Sequence, residues 1–153
     1  RISPLLAGGG QQKNLRSGTE PVELIAGLEA AVRAYHGTPE HFGALKAHML
    51  DGLSALGGIT VNSGENCVPN IVNFSVEGVR SEIMLHSLEE RGIYVSSGSA
   101  CSRGKTSGVL AAFEIPDKLA DSAIRVSMCA DTTEADIDAL IEGIGAGIAR
   151  FRR

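Results

Sequence analysis

The chain has 153 residues and a formal net charge of −4, with 43% hydrophobic and 21% charged residues. These values are typical of one globular domain with its own core. They argue against a general nucleic-acid-binding protein, which needs clustered Lys and Arg. No apolar run reaches the length of a membrane span. We therefore expect neither a membrane partner nor a direct nucleic-acid partner.

The cysteines indicate a reducing compartment. Cys67, Cys101 and Cys129 are odd in number, widely separated and without metal-ligand spacing. A disulfide framework or a metal site is therefore not expected, and a cytoplasmic location is predicted. The chain begins with Arg1 and enters directly on an apolar segment, so we expect a fragment of a longer protein.

Two helices are predicted in the first third of the chain. Thr19 is expected to cap the first helix, with Pro21 in its first turn, and the helix should stop near Gly37. The second helix should begin at residues 38–39 and end at residues 57–58. Both show apolar residues at spacings of three and four: Leu24, Leu28, Ala31 and Tyr35 in the first, and Phe42, Leu45, Met49, Leu53 and Leu56 in the second. We expect these helices to form an arm or a covering layer.

The period changes to that of strands from Ile59 onward. Short strands are predicted at 59–61 and 93–95, a half-buried strand at 72–76 and a last strand at 123–128. Helices are predicted between them, at 81–92 and 107–113, and after Thr133 at the carboxyl end. This order predicts an α/β (α+β) fold with one small mixed or antiparallel sheet packed with helices.

Residues 96–101 read Ser-Ser-Gly-Ser-Ala-Cys and place one thiol in a small, hydroxyl-rich loop after an apolar run. A nucleophilic cysteine needs access and cationic surroundings that favour the thiolate, and Arg103 and Lys105 follow directly. Cys101 is therefore a candidate nucleophile, the alternative being an incidental cysteine in a loop. Cys67 and Cys129 are interpreted as structural.

Arg125 is the second candidate site residue, because it stands between Ile124 and Val126 in an apolar strand pattern. A guanidinium there is costly unless something pairs with it. One interpretation is a structural salt bridge or an edge-strand arginine. The other is recognition of the carboxylate of a free amino acid, which a planar two-pronged donor suits.

Three stretches, in the same order, resemble the cysteine desulfurases of the class V aminotransferase type. The first is a glycine-rich run at 8–11, followed by Leu-Arg-Ser-Gly-Thr at 15–19. The second is the loop at 96–101, which is similar to that of the housekeeping class. The third is Ala-Ile-Arg-Val-Ser at 123–127, with Thr-Thr-Glu at 132–134. The resemblance extends from the first residues to about Ile144.

The resemblance implies the carboxyl-terminal small domain of a fold-type I enzyme that uses pyridoxal 5′-phosphate. Residues 1–20 would continue from a missing amino-terminal cofactor domain, and residues 21–153 would form the small domain, with the cysteine loop at 96–105. None of the lysines stands in the Ser-x-His-Lys context of the Schiff-base lysine. That lysine is expected upstream, and the fragment alone is expected to be inactive.

The resemblance also implies roles for single residues. Cys101 would take the sulfur of L-cysteine as a persulfide and release L-alanine, and Arg125 would clamp the substrate's α-carboxylate. Thr19 would reach the cofactor phosphate of the neighbouring subunit, unless it is only a helix cap. The full-length enzyme is expected to be a homodimer that passes sulfur to an acceptor protein in iron–sulfur assembly or thiolation. The alternatives are a stand-alone sulfur carrier or interaction module, and a related pyridoxal-phosphate aminotransferase or lyase.

Overall fold

The structure, a computed structural model, describes residues 2–64, 66–97 and 108–152. Contacts within the chain divide it into two compact units, Arg1–His36 and Gly37–Arg153.

The first unit consists of a closed loop and one helix. A 3-10 helix, Gln11–Asn14, lies inside the loop, and the helix is α1, Val22–Ala34. The Ser17 hydroxyl closes the loop by donating to the carbonyls of Leu6 at 3.1 Å and Gly9 at 3.2 Å. Gly18 follows with φ of +117°, a conformation that side-chain-bearing residues rarely adopt, so the loop requires glycine there.

The predicted Thr19 helix cap is wrong. The cap position of α1 is Pro21, and no side chain accepts a hydrogen bond there. Because proline sits at the cap, the helix begins two positions later than a Thr19 cap would require. None of the residues of α1 is buried, although its sequence carries the apolar periodicity of a packed helix.

The second unit contains a four-stranded sheet and five helices among its described residues. The helices are α2 Pro39–Ser54, α3 Ser81–Glu89, α4 Gly108–Ala112, α5 Asp117–Asp121 and α6 Glu134–Phe151. The strands are β1 Ile59–Val61, β2 Ile71–Val76, β3 Ser96–Ser97 and β4 Ala123–Ser127. Their order is β1-β2-β4-β3 and every neighbouring pair is antiparallel. The predicted α/β (α+β) class, with a small sheet packed with helices, is confirmed. The strand predicted at 93–95 is wrong, since pairing begins only at Ser96.

The core lies between one face of the sheet and helices α2, α3 and α6. Helix α6 approaches α3 closely because it carries glycine at the contact: a Cβ on Gly147 would lie 2.5 Å from Met84 Sδ. The Thr133 side chain and Asp136 cap α6 reciprocally, as the sequence predicts for its start. The buried side chains of this core are Phe42, Leu45, Met49, Leu53, Val72, Phe74, Val76, Val79, Met84, Leu88, Ile124, Val126, Met128, Ile137, Leu140 and Ile144.

The other face of the sheet is partly covered by α5, which the sequence analysis does not predict. Ser75 of β2 is fully buried there, and its hydroxyl donates to the Leu119 carbonyl of α5 at 2.7 Å. The prediction of a half-buried β2 is therefore wrong at its carboxyl end, where both faces are covered.

Candidate active site

Arg125 lies on the second face of the sheet, away from the main core. In the register of β4 it stands opposite Asn73 of β2 and Ser96 of β3. Its neighbours Ile124 and Val126 are buried, but Arg125 is exposed, because successive side chains of a strand point to opposite faces. The premise that its guanidinium sits among apolar side chains is wrong.

The structural-salt-bridge interpretation of Arg125 finds no support in the described part of the chain. Within residues 2–64, 66–97 and 108–152, no carboxylate pairs with the guanidinium, whereas Arg80, for example, contacts Asp121 at 3.2 Å. A guanidinium without a carboxylate partner keeps its donors available for a ligand.

A cavity of about 230 Å³ opens beside Arg125. Arg125 is the one charged residue among the described residues that line it. Its polar and apolar walls comprise Asn62, Ser63, Cys67, Ile71, Asn73, Val109, Leu110, Phe113 and Ile115. The cavity therefore combines one anion-binding fork with an apolar wall, which suits a small molecule that bears a carboxylate.

The start of the cysteine loop is tied to the Arg125 strand. Ser96 and Ser97 form β3 and pair with Arg125 and Ile124 of β4. Cys101, the predicted nucleophile, lies outside the described residues, as do Arg103 and Lys105. The strand that presents Arg125 thus also pairs with the first two residues of this loop.

The structural interpretation of the other two cysteines is wrong, since both are exposed. Cys67 lines the cavity beside Arg125. The pKa of the Cys129 thiol is lowered, chiefly by a hydrogen bond with the Thr132 hydroxyl and then by the backbone of Asp131. Exposure and a lowered pKa both favour the thiolate form of Cys129.

Thr19, the predicted phosphate ligand, is exposed in the first unit, directly after Gly18. Its hydroxyl does not cap α1, and within the described chain it has no hydrogen-bond partner. The hydroxyl is therefore available to a ligand, as a hydrogen bond to a phosphate requires.

A hydrogen-bonded group beside Arg125 has no signal in the sequence. The Asn62 side-chain nitrogen donates to Asn73 Oδ1 at 2.7 Å and to Ser75 Oγ at 2.9 Å. In the sequence, Asn73 is only one of the polar residues that alternate with apolar residues along a predicted strand. Because Asn62 and Asn73 meet through strand pairing across a loop, no local spacing marks them as partners.

Two negative findings apply to the residues that the structure describes. They contain no group of three or more His, Cys, Asp or Glu side chains arranged to hold a metal ion. No helix among them is long and apolar enough to cross a membrane.

Comparison with known proteins decides the family. The family model for class-V aminotransferases matches residues 7–140. The chain belongs to the class-V aminotransferase family. The resemblance carried by the three sequence stretches is thereby confirmed at the level of the family.

Similar proteins of this class-V aminotransferase family are named cysteine desulfurases. The chain is 38% identical over 159 residues to the cysteine desulfurase IscS of Vibrio campbellii, covering 99% of this chain and 39% of that protein. It is 40% identical over 151 residues to the mitochondrial cysteine desulfurase of Eremothecium gossypii, covering 94% and 30%. The solved structure of a NifS-like protein from Rickettsia africae superposes with a TM-score of 0.78 at 28% identity, covering 97% of this chain and 41% of that one. The chain thus spans about two fifths or less of the length of these relatives.

Proposed function

We propose that this chain is the carboxyl-terminal part of a pyridoxal-phosphate-dependent cysteine desulfurase. In the proposed reaction L-cysteine becomes L-alanine, and its sulfur stays on Cys101 as a persulfide. The observation that carries the proposal is the pairing of Ser96 with Arg125. It brings the start of the predicted nucleophile loop next to an arginine that lines a small cavity and has no carboxylate partner in the described chain. The names of the similar proteins support it.

In this proposal Arg125 binds the α-carboxylate of L-cysteine. The guanidinium offers two parallel N–H donors to the two carboxylate oxygens, which fixes the orientation of the substrate as well as its position. Among the described residues that line the cavity there is no carboxylate to compete for this fork. The apolar wall that includes Leu110 and Phe113 borders the same cavity, on one side of the proposed carboxylate position.

Cys101 acts as the nucleophile. Its thiolate attacks the sulfur of the substrate, so that a sulfur–sulfur bond forms while the carbon–sulfur bond breaks. The electron pair of the broken bond stays with the substrate carbon, which takes a proton and leaves as alanine. The enzyme keeps one sulfur atom for transfer to an acceptor protein.

Thr19 fits a contact to the cofactor phosphate. Its hydroxyl is exposed, lies at the end of a closed glycine-containing loop and has no partner in the described chain. We assign it to the phosphate of the pyridoxal phosphate held by the neighbouring subunit of a homodimer. When bound, this cofactor supplies an electron sink for the reaction at the substrate. The Schiff-base lysine is assigned to the part of the protein before Arg1.

The proposed domain arrangement places residues 1–20 as a continuation of the upstream cofactor domain and residues 21–153 as the small domain, whereas contacts within the chain divide it between His36 and Gly37. The exposed apolar side chains of α1, and of Tyr35 directly after it, support the presence of further protein, because six of them are between 51% and 73% exposed: Val22, Leu24, Ile25, Leu28, Val32 and Tyr35. Apolar patches of this kind mark interaction surfaces. The sulfur acceptor, the homodimer and the cytoplasmic location remain predictions from the sequence.

Mass spectrometry of the full-length protein tests the proposal. After incubation with L-cysteine, the peptide that contains Cys101 should gain about 32 Da, one sulfur atom on the nucleophile, and alanine should be released. Cys101→Ser should abolish both results, because a hydroxyl cannot hold the sulfur. Cys129→Ser, the matched thiol control, should keep both, and Cys67→Ser, at the wall of the cavity, should still gain the sulfur atom on Cys101.

Two other outcomes would contradict this assignment. Sulfur on a different cysteine would move the nucleophile away from Cys101. Sulfur taken only from an added persulfide donor, without alanine release from L-cysteine, would instead indicate a sulfur carrier.

A further inference from the structure

Asn73 lies directly opposite Arg125 in the register between β2 and β4, and both residues line the cavity. Opposite residues of antiparallel strands project to the same face, with Cβ atoms about 5 Å apart. The amide of Asn73 therefore stands beside the guanidinium on the wall of the same cavity. The desulfurase proposal does not use it.

The hydrogen bonds behind Asn73 fix which way its amide is turned. The Leu119 carbonyl can only accept, so the Ser75 hydroxyl, at 2.7 Å, donates its one proton to it. Ser75 Oγ can then only accept from the Asn62 side chain at 2.9 Å, so the atom that faces it is the amide nitrogen. The same nitrogen is 2.7 Å from Asn73, and the atom of Asn73 at this contact must be the carbonyl oxygen.

The side chain of Asn73 consequently has only donors left. Its Oδ1 is occupied by Asn62, and its amide nitrogen has no hydrogen-bond partner within the described chain. The backbone is held as well, because the Asn73 N–H donates to Ser63 Oγ at 2.8 Å and its carbonyl accepts from the Asn62 N–H at 2.9 Å. Turning the amide would break the bond to Asn62, whose other partner, Ser75, is fully buried.

We propose that Asn73 is a second donor for the ligand's carboxylate beside Arg125, and that Asn62 is the positioning residue that keeps the Asn73 amide in its donor orientation. A carboxylate has about four lone-pair sites, of which a guanidinium fork fills two, so two remain and one of them can accept from a neutral N–H donor. The inference rests on the proposed function, in which this carboxylate belongs to L-cysteine.

The test measures equilibrium binding to the full-length protein by calorimetry. The probes are 3-mercaptopropionate, which has the carboxylate and the thiol of the substrate, and cysteamine, which lacks the carboxylate. Asn73→Ala should weaken 3-mercaptopropionate about tenfold, the loss of one hydrogen bond to a charged group. The affinity of the same variant for cysteamine should stay within about twofold of the parent. Its KM for L-cysteine should rise while kcat stays nearly unchanged.

Two further variants control this result. Asn73→Asp keeps the size of the side chain but replaces the donor with a negative charge, so it should weaken 3-mercaptopropionate further than Asn73→Ala. If Asn73→Ala does not fold, Asn73→Asp tests the donor role in its place. Asn66→Ala, on the same connection but exposed and outside the cavity lining, should change neither affinity.

The positioning role of Asn62 is tested by a double-mutant cycle. Asn62→Ala alone should weaken 3-mercaptopropionate about threefold, and it should add nothing in the Asn73→Ala background, since its effect passes through Asn73. Additive losses would overturn the positioning role.

The same measurements separate this inference from the proposed function. If Arg125→Ala weakens 3-mercaptopropionate but Asn73→Ala does not, the donor role of Asn73 is wrong and the carboxylate site stands. If neither variant has an effect, the carboxylate site itself is wrong.

Discussion

Ser96 lies directly opposite Arg125 in the antiparallel pairing of β3 with β4. Strand β4 therefore holds, side by side, the start of the segment that carries Cys101 and the arginine that lines the cavity. In the proposed reaction Cys101 accepts the sulfur and Arg125 binds the carboxylate. Strand β4 therefore places Ser96 on one side of Arg125. On its other side, β2 places Asn73 opposite Arg125.

Replacing Arg125 tests the carboxylate site in the full-length protein. Arg125→Ala should raise KM for L-cysteine roughly 100-fold, corresponding to about 3 kcal/mol for a lost charge-assisted fork. The KM of Arg125→Lys should lie between those of the parent and Arg125→Ala, because lysine keeps the charge and loses the second donor. Steady-state kinetics measure both. Arg33→Ala, an exposed arginine paired with Glu29 one turn away in α1, is the control and should leave KM unchanged. Equal KM in Arg125→Ala and the parent would end the assignment.

The periodicity of the sequence predicts the helices that pack within their own unit. Phe42, Leu45, Met49 and Leu53 recur at helical spacing in α2 and are buried, as periodicity requires. The same pattern in α1 is equally regular, yet its residues are exposed. Periodicity reports which side of a helix is apolar and not what covers it, so the environment of α1 could not be predicted from these residues.

Single residues of the candidate site could be predicted from the sequence. Groups of residues that strand pairing brings together could not. Arg125 stands out because a charge interrupts an apolar strand pattern. Its exposure was missed because the pattern does not reveal that the second face of the sheet is open at this position. The group formed by Asn62, Asn73 and Ser75 depends on strand register and on α5, and neither has a local sequence signal.

Thr19 is tested through cofactor retention in the full-length protein. Thr19→Val should weaken pyridoxal phosphate binding by about 1–2 kcal/mol, the value of one hydrogen bond to a charged group. Equilibrium dialysis measures the affinity. Thr19→Ser keeps the hydroxyl and should retain the cofactor. An unchanged affinity in Thr19→Val would remove the phosphate contact, and the helix-cap explanation is already excluded by the structure.

Cys129 should alkylate as a thiolate at lower pH than an ordinary cysteine, without carrying sulfur in the reaction. The Thr132 hydroxyl lowers the pKa of the Cys129 thiol. In Thr132→Val the pH profile of iodoacetamide alkylation at Cys129, followed by peptide mass spectrometry, should therefore move to higher pH. Thr132→Ser, which keeps the hydroxyl, should leave the profile in place. Coincident profiles in Thr132→Val and the parent would show that the hydroxyl does not stabilise the thiolate.

His48 links α2 to α6 and should make their contact pH-dependent. Its Nε2 lies 2.7 Å from Asp138 Oδ1 across the two helices. This hydrogen bond, with smaller contributions from the charges of Asp138, Glu134 and Asp51, raises the pKa of His48 above its ordinary value of about 6.5. A histidine whose pKa is raised by folding stabilises the folded state when it is protonated.

The stabilisation by His48 is thus fully present below about pH 6.5 and is lost as the pH rises through the raised pKa. Hydrogen exchange of α6 amides in the full-length protein should show more protection in the parent than in His48→Gln at pH 6, with the difference shrinking toward pH 8. Asp138→Asn keeps a hydrogen-bonding partner without the charge and should flatten the same pH dependence. Because the pair is exposed, added salt should also reduce the difference between parent and variant. A difference that grows with pH would reverse the sign of this linkage and contradict the ion pair.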